Sequence, residues 1–324
     1  MENPQKELLT NYSSYPPQPH STDDEIDLRQ LFKVLWQGKW IIIATTFVFA
    51  VSSVIYALSL PNIYKADALL APTESSNNGG LSKMAGQLGG LAAIAGVNLG
   101  ESASSQTTLA VQIMQSRQFI DAFVKKHELT IPLMAVEGWD LTTNKLIFNE
   151  ELYDEENDKW LREPRGLKTV QPTAQEEFKI FYNNIIAISE DKESGLYTLS
   201  VKHYSPFIAQ QWVGWLISDI NDVMRKRAIS EASRNLEYLN NQLDKTAVSE
   251  MQATFYKLIE EQTKRLMLAE AQEEFVFKTI DPPVVPEEKY SPNRSIICII
   301  GTILGSVFGI VLVLIWYVFR GSKY

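Results

Sequence analysis

Two long apolar runs dominate the pattern of hydrophobic and polar positions along the chain. Residues 40–60 and 295–319 contain no charged side chain, and about 20 such residues cross the hydrocarbon core of a bilayer. Aromatic residues stand near the ends of both runs, as they often do at membrane interfaces: Trp40, Tyr56, Trp316 and Tyr317. We therefore predict two transmembrane helices, rather than two buried core helices or a cleaved signal peptide.

The flanking charges predict the orientation of these helices. Arg29, Lys33 and Lys39 precede the first run, whereas Lys65 alone follows closely after it. Cytoplasmic flanks carry the excess of Lys and Arg, so the N-terminus is predicted to be cytoplasmic, and two spans return the C-terminus to that side. The predicted domains are a cytoplasmic tail (1–39), the first span (40–60), a periplasmic domain (61–294), the second span (295–319) and a cytoplasmic tail (320–324).

Short elements are predicted at both ends of the external domain. Alternating apolar positions predict a strand in 61–72, a β-hairpin in 185–204 with its turn at Glu193–Gly195, and a returning strand at 275–279. Helical spacing predicts helices at 23–38, 104–129 and 172–182. The first of these either lies on the membrane surface or continues the first span. We expect a small-residue loop at 75–100 and a solvated acidic insert at 139–165.

The longest periodic segment, 205–275, is helical in pattern and contains no proline after Pro206. As one rod it would measure about 100 Å. The apolar stripe weakens between Asp244 and Ser249, so a helical hairpin that folds there is an equally good interpretation. In either form the segment is too long for one globule, and we expect an arm that packs on copies of itself.

Composition excludes several classes of protein. The single cysteine, Cys298, rules out a disulfide framework and a CxxC site, and the three histidines lie far apart in sequence. The net charge of −9 argues against nucleic acid as a partner. The sequence contains no phosphate-binding loop and no nucleophile elbow. We predict a protein that is not an enzyme and that holds no metal and no cofactor.

Two motifs remain near the second span. Prolines and a serine precede it in the spacing P-x2-P-x4-S-P, and three glycines at intervals of four lie inside it, where they would let helices approach closely in lipid. The residues singled out are Pro283, Pro286, Ser291, Pro292, Gly301, Gly305 and Gly309.

These motifs resemble the Wzz-type polysaccharide co-polymerases, the chain length determinants of bacterial surface polysaccharides. The resemblance covers residues 24–320. It also rests on PNIYKADALLAP after the first span, and on SPFIAQQWVGWLISDIN, RNLEYLNNQL and LMLAEAQEEFVFKTIDPPVVPEEK. The chain departs from the family pattern in one respect, because its second span has single glycines where the family often has Gly-Gly pairs.

The resemblance implies an α+β membrane protein. Two transmembrane helices would flank a periplasmic domain with an α/β base and a long projecting helical arm, and the subunits would form a homo-oligomeric ring in the bacterial inner membrane. It further implies a non-catalytic regulator that sets the modal length of lipopolysaccharide O-antigen. A separate Wzy-type polymerase and the growing lipid-linked polysaccharide would be its partners. Since 320–324 contains no Walker motif, we expect the kinase-free class.

The glycine face of the second span would then contact a neighbouring subunit or the polymerase. An alternative function stays open at this point. A structural adaptor of a polysaccharide export machine, or of a capsule or exopolysaccharide assembly machine, would share the membrane ring. Such an adaptor would bind a transport partner and leave polymer length unchanged.

Overall fold

The computed structural model of the protein describes residues 35–73, 103–246 and 248–321. Two compact units make up the chain. Met1–Ser59 and Arg294–Tyr324 form the helix-pair unit, and Leu60–Asn293 forms the base-and-arm unit. The predicted helix at 23–38 is described only from residue 35. The predicted loop at 75–100 lies outside the described residues, as do most of the tail 1–39 and residues 322–324.

The secondary structure alternates between helices and short strands. The helices are α1 (Lys39–Ser59), α2 (Ala103–Met114), α3 (Arg117–Lys126), α4 (Thr130–Met134), α5 (Ala174–Ile180), α6 (Pro206–Lys245), α7 (Ser249–Ala271) and α8 (Arg294–Gly321). The strands are β1 (Tyr64–Pro72), β2 (Val136–Asp140), β3 (Lys145–Phe148), β4 (Tyr153–Asp154), β5 (Lys159–Trp160), β6 (Ile186–Glu190), β7 (Tyr197–His203) and β8 (Phe277–Asp281). A π-helical turn, Phe181–Ile185, joins α5 to β6.

The helix-pair unit consists of α1 and α8, which are the two helices of the described chain long and apolar enough to cross a membrane. Their large apolar side chains, such as Trp40, Phe47 and Ile303, are exposed on the surface of the chain. A core helix of a water-soluble protein would bury such side chains. The surface of the pair is therefore suited to lipid, as the two uncharged runs predict.

The base is a four-stranded antiparallel sheet with the strand order β6-β7-β1-β8. β1 pairs with β7 from Tyr64↔His203 to Leu70↔Tyr197, and β6 pairs with β7 across the predicted hairpin. Gly195 has a φ of 70°, which the turn between β6 and β7 requires and which glycine adopts without strain. The predicted strand, hairpin and returning strand are thus confirmed, with shifts of a few residues at their ends.

The core lies between this sheet and the helices α2, α3 and α6. Alternate residues of β1 are buried on one face, and the first half of α6 packs against β1 and β7. The largest fully buried side chains include Phe123, Phe181, Leu199, Trp212, Ile220 and Phe277. The first half of α6 therefore belongs to the base, although it was predicted as part of the arm, and only the part beyond Met224 extends from the base.

The arm is a helical hairpin and not a single rod. α6 has 40 residues, which is about 60 Å, and α7 runs back along it. Thr246 and Val248 take extended conformations at the turn, where the apolar stripe weakens in the sequence. Leu239 and Ala269 are buried between the helices, and Asn235 Nδ2 lies 3.5 Å from Gln262 Oε1.

Two predicted segments differ from the structure. The helix predicted at 104–129 is broken at Gln115–Ser116, where the Ser116 hydroxyl accepts a hydrogen bond from Phe119 N and begins α3. The break turns the apolar face of α3 toward the core. The acidic insert at 139–165 contains two β-hairpins, β2–β3 and β4–β5. Its carboxylates cap their turns, as Asp140 does for the backbone N–H groups of Thr142 and Thr143.

Asn221 joins the arm to the sheet from inside the core. Its side chain is 4% exposed. The Oδ1 atom accepts hydrogen bonds from Val276 N and Phe277 N at 2.8 and 3.0 Å, and Nδ2 donates to Phe277 O at 3.0 Å. One amide thus satisfies three buried backbone groups at the point where the chain leaves α7 and enters β8.

We expect Asn221→Ala to lower the free energy of unfolding by about 2–4 kcal/mol, because two buried N–H groups lose their acceptor. Urea unfolding of the purified protein in detergent, followed by tryptophan fluorescence, measures the change. Asn240→Ala is the matched control, since Asn240 is exposed on the same helix, and should change stability by less than about 0.5 kcal/mol. Equal stability of the two variants would contradict the assignment.

Candidate functional site

The three glycines of α8 face α1 of the same chain. A Cβ atom built on Gly309 would lie 2.9 Å from Ile42 Cα and 2.3 Å from Thr45 Oγ1. One on Gly305 would lie 2.6 Å from Phe49 Cβ, and one on Gly301 would lie 2.4 Å from Ser53 Cβ. No real Cβ atom fits at such distances. The backbones of α1 and α8 can therefore approach this closely only because these positions lack side chains.

Small residues on α1 complete this glycine contact. The hydroxyls of Thr45 and Ser53 donate to backbone carbonyls of their own helix, at 2.9 Å to Ile41 O and 2.8 Å to Ala50 O. Their hydrogen-bonding capacity is thus used within α1, and they present small surfaces to α8. At the other end of the pair, a Cβ atom on Gly38 would collide with Val313.

This arrangement bears on the hypothesis that the glycine face contacts a neighbouring subunit or a polymerase. In the structure, α1 of the same chain occupies the face formed by Gly301, Gly305 and Gly309. A neighbouring subunit or a polymerase would therefore have to contact a different surface of the chain. Spacing alone does not predict this, because a small-residue stripe indicates close packing but does not identify the partner helix.

We expect Gly309→Leu to separate α1 from α8, since the new side chain would overlap the backbone at Ile42. Overpacking of this kind costs about 1–3 kcal/mol. The measurement is disulfide cross-linking between cysteines placed at Phe49 and Phe308, whose rings pack 5.6 Å apart across the two helices, in a Cys298→Ser background. Val307→Leu, on the exposed side of α8, is the matched control and should cross-link like the parent. Undiminished cross-linking in Gly309→Leu would show that the contact does not depend on this glycine.

The proline-serine motif lies where the chain leaves the base. Ile63 and Ser291 form an antiparallel bridge, in which Ile63 N donates to Ser291 O at 2.8 Å and Tyr290 N donates to Ile63 O at 2.8 Å. We call Ile63, Tyr290 and Ser291 the entry–exit clamp. The Ser291–Pro292 peptide bond is cis. The clamp ties the first residues of the base-and-arm unit to its last.

The earlier prolines of the motif continue from β8 along the base. Gln210 Nε2 of α6 donates to Pro283 O at 3.2 Å, and Pro286 is partly buried. Prolines have no N–H to donate, so this segment cannot extend the ladder of β8. Of the residues singled out in the sequence, Ser291 thus lies in the clamp and Pro283 is held against α6. Ile63 and Tyr290 were not found from the sequence, because their role depends on strand pairing.

The charged groups of the base form separate ion pairs. Asp219 contacts His127 at 2.9 Å and also Lys126, and the His127 ring stacks on Trp215 at 4.2 Å. Two hydrogen bonds from Arg162, at 2.7 and 3.0 Å, are the main cause that lowers the pKa of Glu176 to about 2. Within the described ranges, the structure brings together no group of three His, Cys, Asp or Glu residues able to hold a metal ion. These pairs join neighbouring elements of the base.

His203 is the most strongly perturbed histidine of the base. It is 3% exposed, and burial lowers its pKa to about 4. Its Nδ1 accepts from Ser205 N and its Nε2 contacts Pro132 O, both at 3.0 Å. These partners assign the proton to Nε2 of a neutral ring. The side chain connects β7, the start of α6 and α4, and it has a structural role.

We expect the stability of the protein to fall as the pH is lowered from about 7 to 4. The unfolded chain binds a proton at His203 near the ordinary pKa of 6.5, whereas the folded chain binds it only near 4. The loss attributable to His203 is about 3 kcal/mol. Urea unfolding at a series of pH values measures it, and His203→Asn should flatten the dependence in this window. An unchanged pH dependence in the variant would assign the effect to other groups.

Comparison with known proteins bears on the sequence resemblance. Residues 24–127 match the family model Wzz, described as chain length determinant protein. This match identifies that segment as Wzz-like and confirms the resemblance to the Wzz-type polysaccharide co-polymerases. It spans α1, β1, α2 and α3. No curated protein matches the chain.

Two solved structures are similar to this chain. One is a full-length bacterial polysaccharide co-polymerase, with 13% sequence identity, a TM-score of 0.42, and coverage of 93% of this chain and 99% of that chain. The other is a fragment of WzzB, a polysaccharide co-polymerase from Salmonella Typhimurium. It shows 12% identity, a TM-score of 0.31, and coverage of 71% of this chain and 100% of that chain.

Proposed function

We propose that this protein regulates the chain length of a bacterial surface polysaccharide without catalysing polymerisation itself. The Wzz match over residues 24–127 is the observation that carries the proposal. The layout of the chain supports it, because two lipid-suited helices flank one large domain. The polymer is lipopolysaccharide O-antigen, and its length is set on material made by a separate Wzy-type polymerase.

The same layout supports a topology. The N-terminal tail and residues 320–324 lie in the cytoplasm, α1 and α8 cross the inner membrane, and residues 61–294 lie in the periplasm. The positive charges Arg29, Lys33 and Lys39 before the first span favour this orientation. The growing lipid-linked polysaccharide is then on the same side of the membrane as the base and the arm.

The exposed surface of the arm supports the proposal that subunits assemble into a ring. Large apolar and aromatic side chains are exposed along the hairpin when the chain is alone: Tyr238, Val248, Met251, Tyr256 and Met267. A row of such side chains is better buried against another protein surface than left in water. Because α1 covers the glycine face of α8, the arm supplies contacts between subunits that the glycines do not.

In the proposed mechanism, the ring holds growing glycan near a polymerase or groups several polymerases. Length control then depends on a surface spread over many subunits rather than on one catalytic site. The ion pairs of Asp219 and Glu176 are consistent with this mechanism, since they join elements of the fold. The role of the protein is to present a surface of fixed dimensions.

The experiment that tests the function is the banding pattern of lipopolysaccharide on a gel. It compares cells with the gene, cells with the gene deleted, and deleted cells with the gene restored. We expect the deletion to remove the modal band while polymer of unregulated length is still made, and the restored gene to bring the band back.

Other patterns would contradict the proposal. Loss of all polymer would favour the structural adaptor of an export or capsule/exopolysaccharide machine, because a length regulator is not needed for synthesis. An unchanged pattern would exclude O-antigen as the regulated polymer. A modal band that stays lost after restoration would trace the phenotype to something other than this protein.

A further inference from the structure

Two lysines face each other across the central strands of the base. Lys65 of β1 and Lys202 of β7 are direct partners in the antiparallel register. Like charges in directly opposite positions destabilise a sheet unless another group compensates them. The ring of Tyr290 provides part of the compensation, since Lys202 Nζ lies 4.9 Å and Lys65 Nζ 5.5 Å from its centroid. We call Lys65, Lys202 and Tyr290 the lysine–tyrosine site.

Within the described part of the chain, the lysine–tyrosine site contains two positive charges and only one carboxylate paired with them. Asp67 contacts Lys65 at 3.0 Å. Lys202 forms no ion pair with any residue that the structure describes, and its ammonium has the Tyr290 ring as its partner. Glu287 and Glu288 precede Tyr290 in sequence, yet neither lies within 4.0 Å of Lys65 or Lys202. The lysine–tyrosine site can therefore accept a further anion.

Covalent connection limits how far this site can lie from the ends of α1 and α8. Tyr290 lies four residues before Arg294, where α8 begins, so its Cα is within about 14 Å of the start of that helix. Lys65 lies six residues after Ser59, where α1 ends, which bounds its distance at about 20 Å. The polar headgroup region of a bilayer adjoins its apolar core. Chain length alone thus keeps both residues within about 20 Å of a helix end, which is compatible with contact to lipid headgroups.

Neighbouring aromatic residues have the character of a membrane interface. Tyr64 packs against Trp139 at 5.6 Å, and Trp139 packs against Phe207 at 6.1 Å. Phe207 and Tyr290 are both about half exposed. Tyrosine and tryptophan are enriched at the level of the headgroups, and lysines extend toward phosphates there. The base therefore carries aromatic and cationic side chains together at the end where its chain meets the helices.

We propose that Lys65, Lys202 and Tyr290 bind the phosphate of an anionic phospholipid of the membrane that α1 and α8 cross. The two ammonium groups supply charge and hydrogen-bond donors, and the tyrosine hydroxyl supplies a further donor. The bound headgroup neutralises the opposed lysines and fixes the base to the bilayer surface. This proposal does not depend on the polysaccharide that the protein serves.

The test is retention of lipid by the full-length protein. The protein is reconstituted in nanodiscs of phosphatidylcholine mixed with phosphatidylglycerol. The protein is then released from the nanodiscs, and the lipid molecules that stay bound to it are counted by native mass spectrometry. We expect the wild type to retain phosphatidylglycerol selectively, and Lys65→Gln/Lys202→Gln to retain several-fold less. Lys192→Gln/Lys257→Gln is the matched control, because it removes the same charge from exposed lysines elsewhere. Lys65→Arg/Lys202→Arg keeps both positive charges and should bind phosphatidylglycerol like the wild type.

Several results would overturn the proposal. One is equal retention by Lys65→Gln/Lys202→Gln and the control. Another is a competition result in which inorganic phosphate displaces the retained lipid as effectively as added phosphatidylglycerol does. That result would assign the site to a soluble anion. Should the double variant fail to fold, Lys202→Gln alone decides, since Lys202 takes part in no ion pair of the described structure. Unreduced retention in that variant would reject the site.

Discussion

The close approach of α1 and α8 through Gly301, Gly305 and Gly309 is the contact on which the architecture depends. It holds together the ends of the two helices that lead into and out of the base-and-arm unit, and Arg294 Nε also donates to Ala57 O at 3.0 Å. A domain inserted between two paired helices must begin and end at one place. The base meets this requirement from its own side, because β1 and β8 are neighbours in the sheet and the entry–exit clamp joins Ile63 to Ser291.

The remaining structure follows from where the polypeptide can bury apolar surface. Near the clamp, the sheet and the first half of α6 enclose an ordinary core around Trp212 and Leu199. Beyond Met224 each arm helix has only its partner to pack against, so burial falls to a few positions such as Leu239 and Ala269. Such a hairpin gains little from its own packing, and large aromatic and methionine side chains stay exposed on it in the single chain. Asn221 lies at the junction of arm and sheet, where its side chain provides hydrogen-bond partners for the buried backbone groups of Val276 and Phe277.

Periodicity predicts the two spans, the strands of the base and the weak point of the arm at Asp244–Ser249, because each is a local property of the chain. The break at Ser116 was missed, since serine within an apolar stripe is compatible with a continuous helix until tertiary packing demands a turn. The hairpins of the acidic insert were missed because their strands are only a few residues long. The glycine spacing indicates close packing, but it does not show whether α1 or another subunit packs on the glycine face of α8, because that depends on tertiary structure. The pairing of Lys65 with Lys202 likewise depends on the register between β1 and β7, which a local stretch of sequence does not determine.

The arm is a helical hairpin whose length can change without a change in the base. Beyond the base, α6 packs along α7 of the same chain, and at the tip of this hairpin α7 begins four residues after α6 ends. Matched insertions or deletions in the two helices would move this tip outward or inward while Asn221, the sheet and the clamp keep their contacts. Related chains could therefore differ in reach by whole helical turns, with the same membrane anchor and the same folding core. The length of the arm can thus change without altering the contacts that stabilise the base.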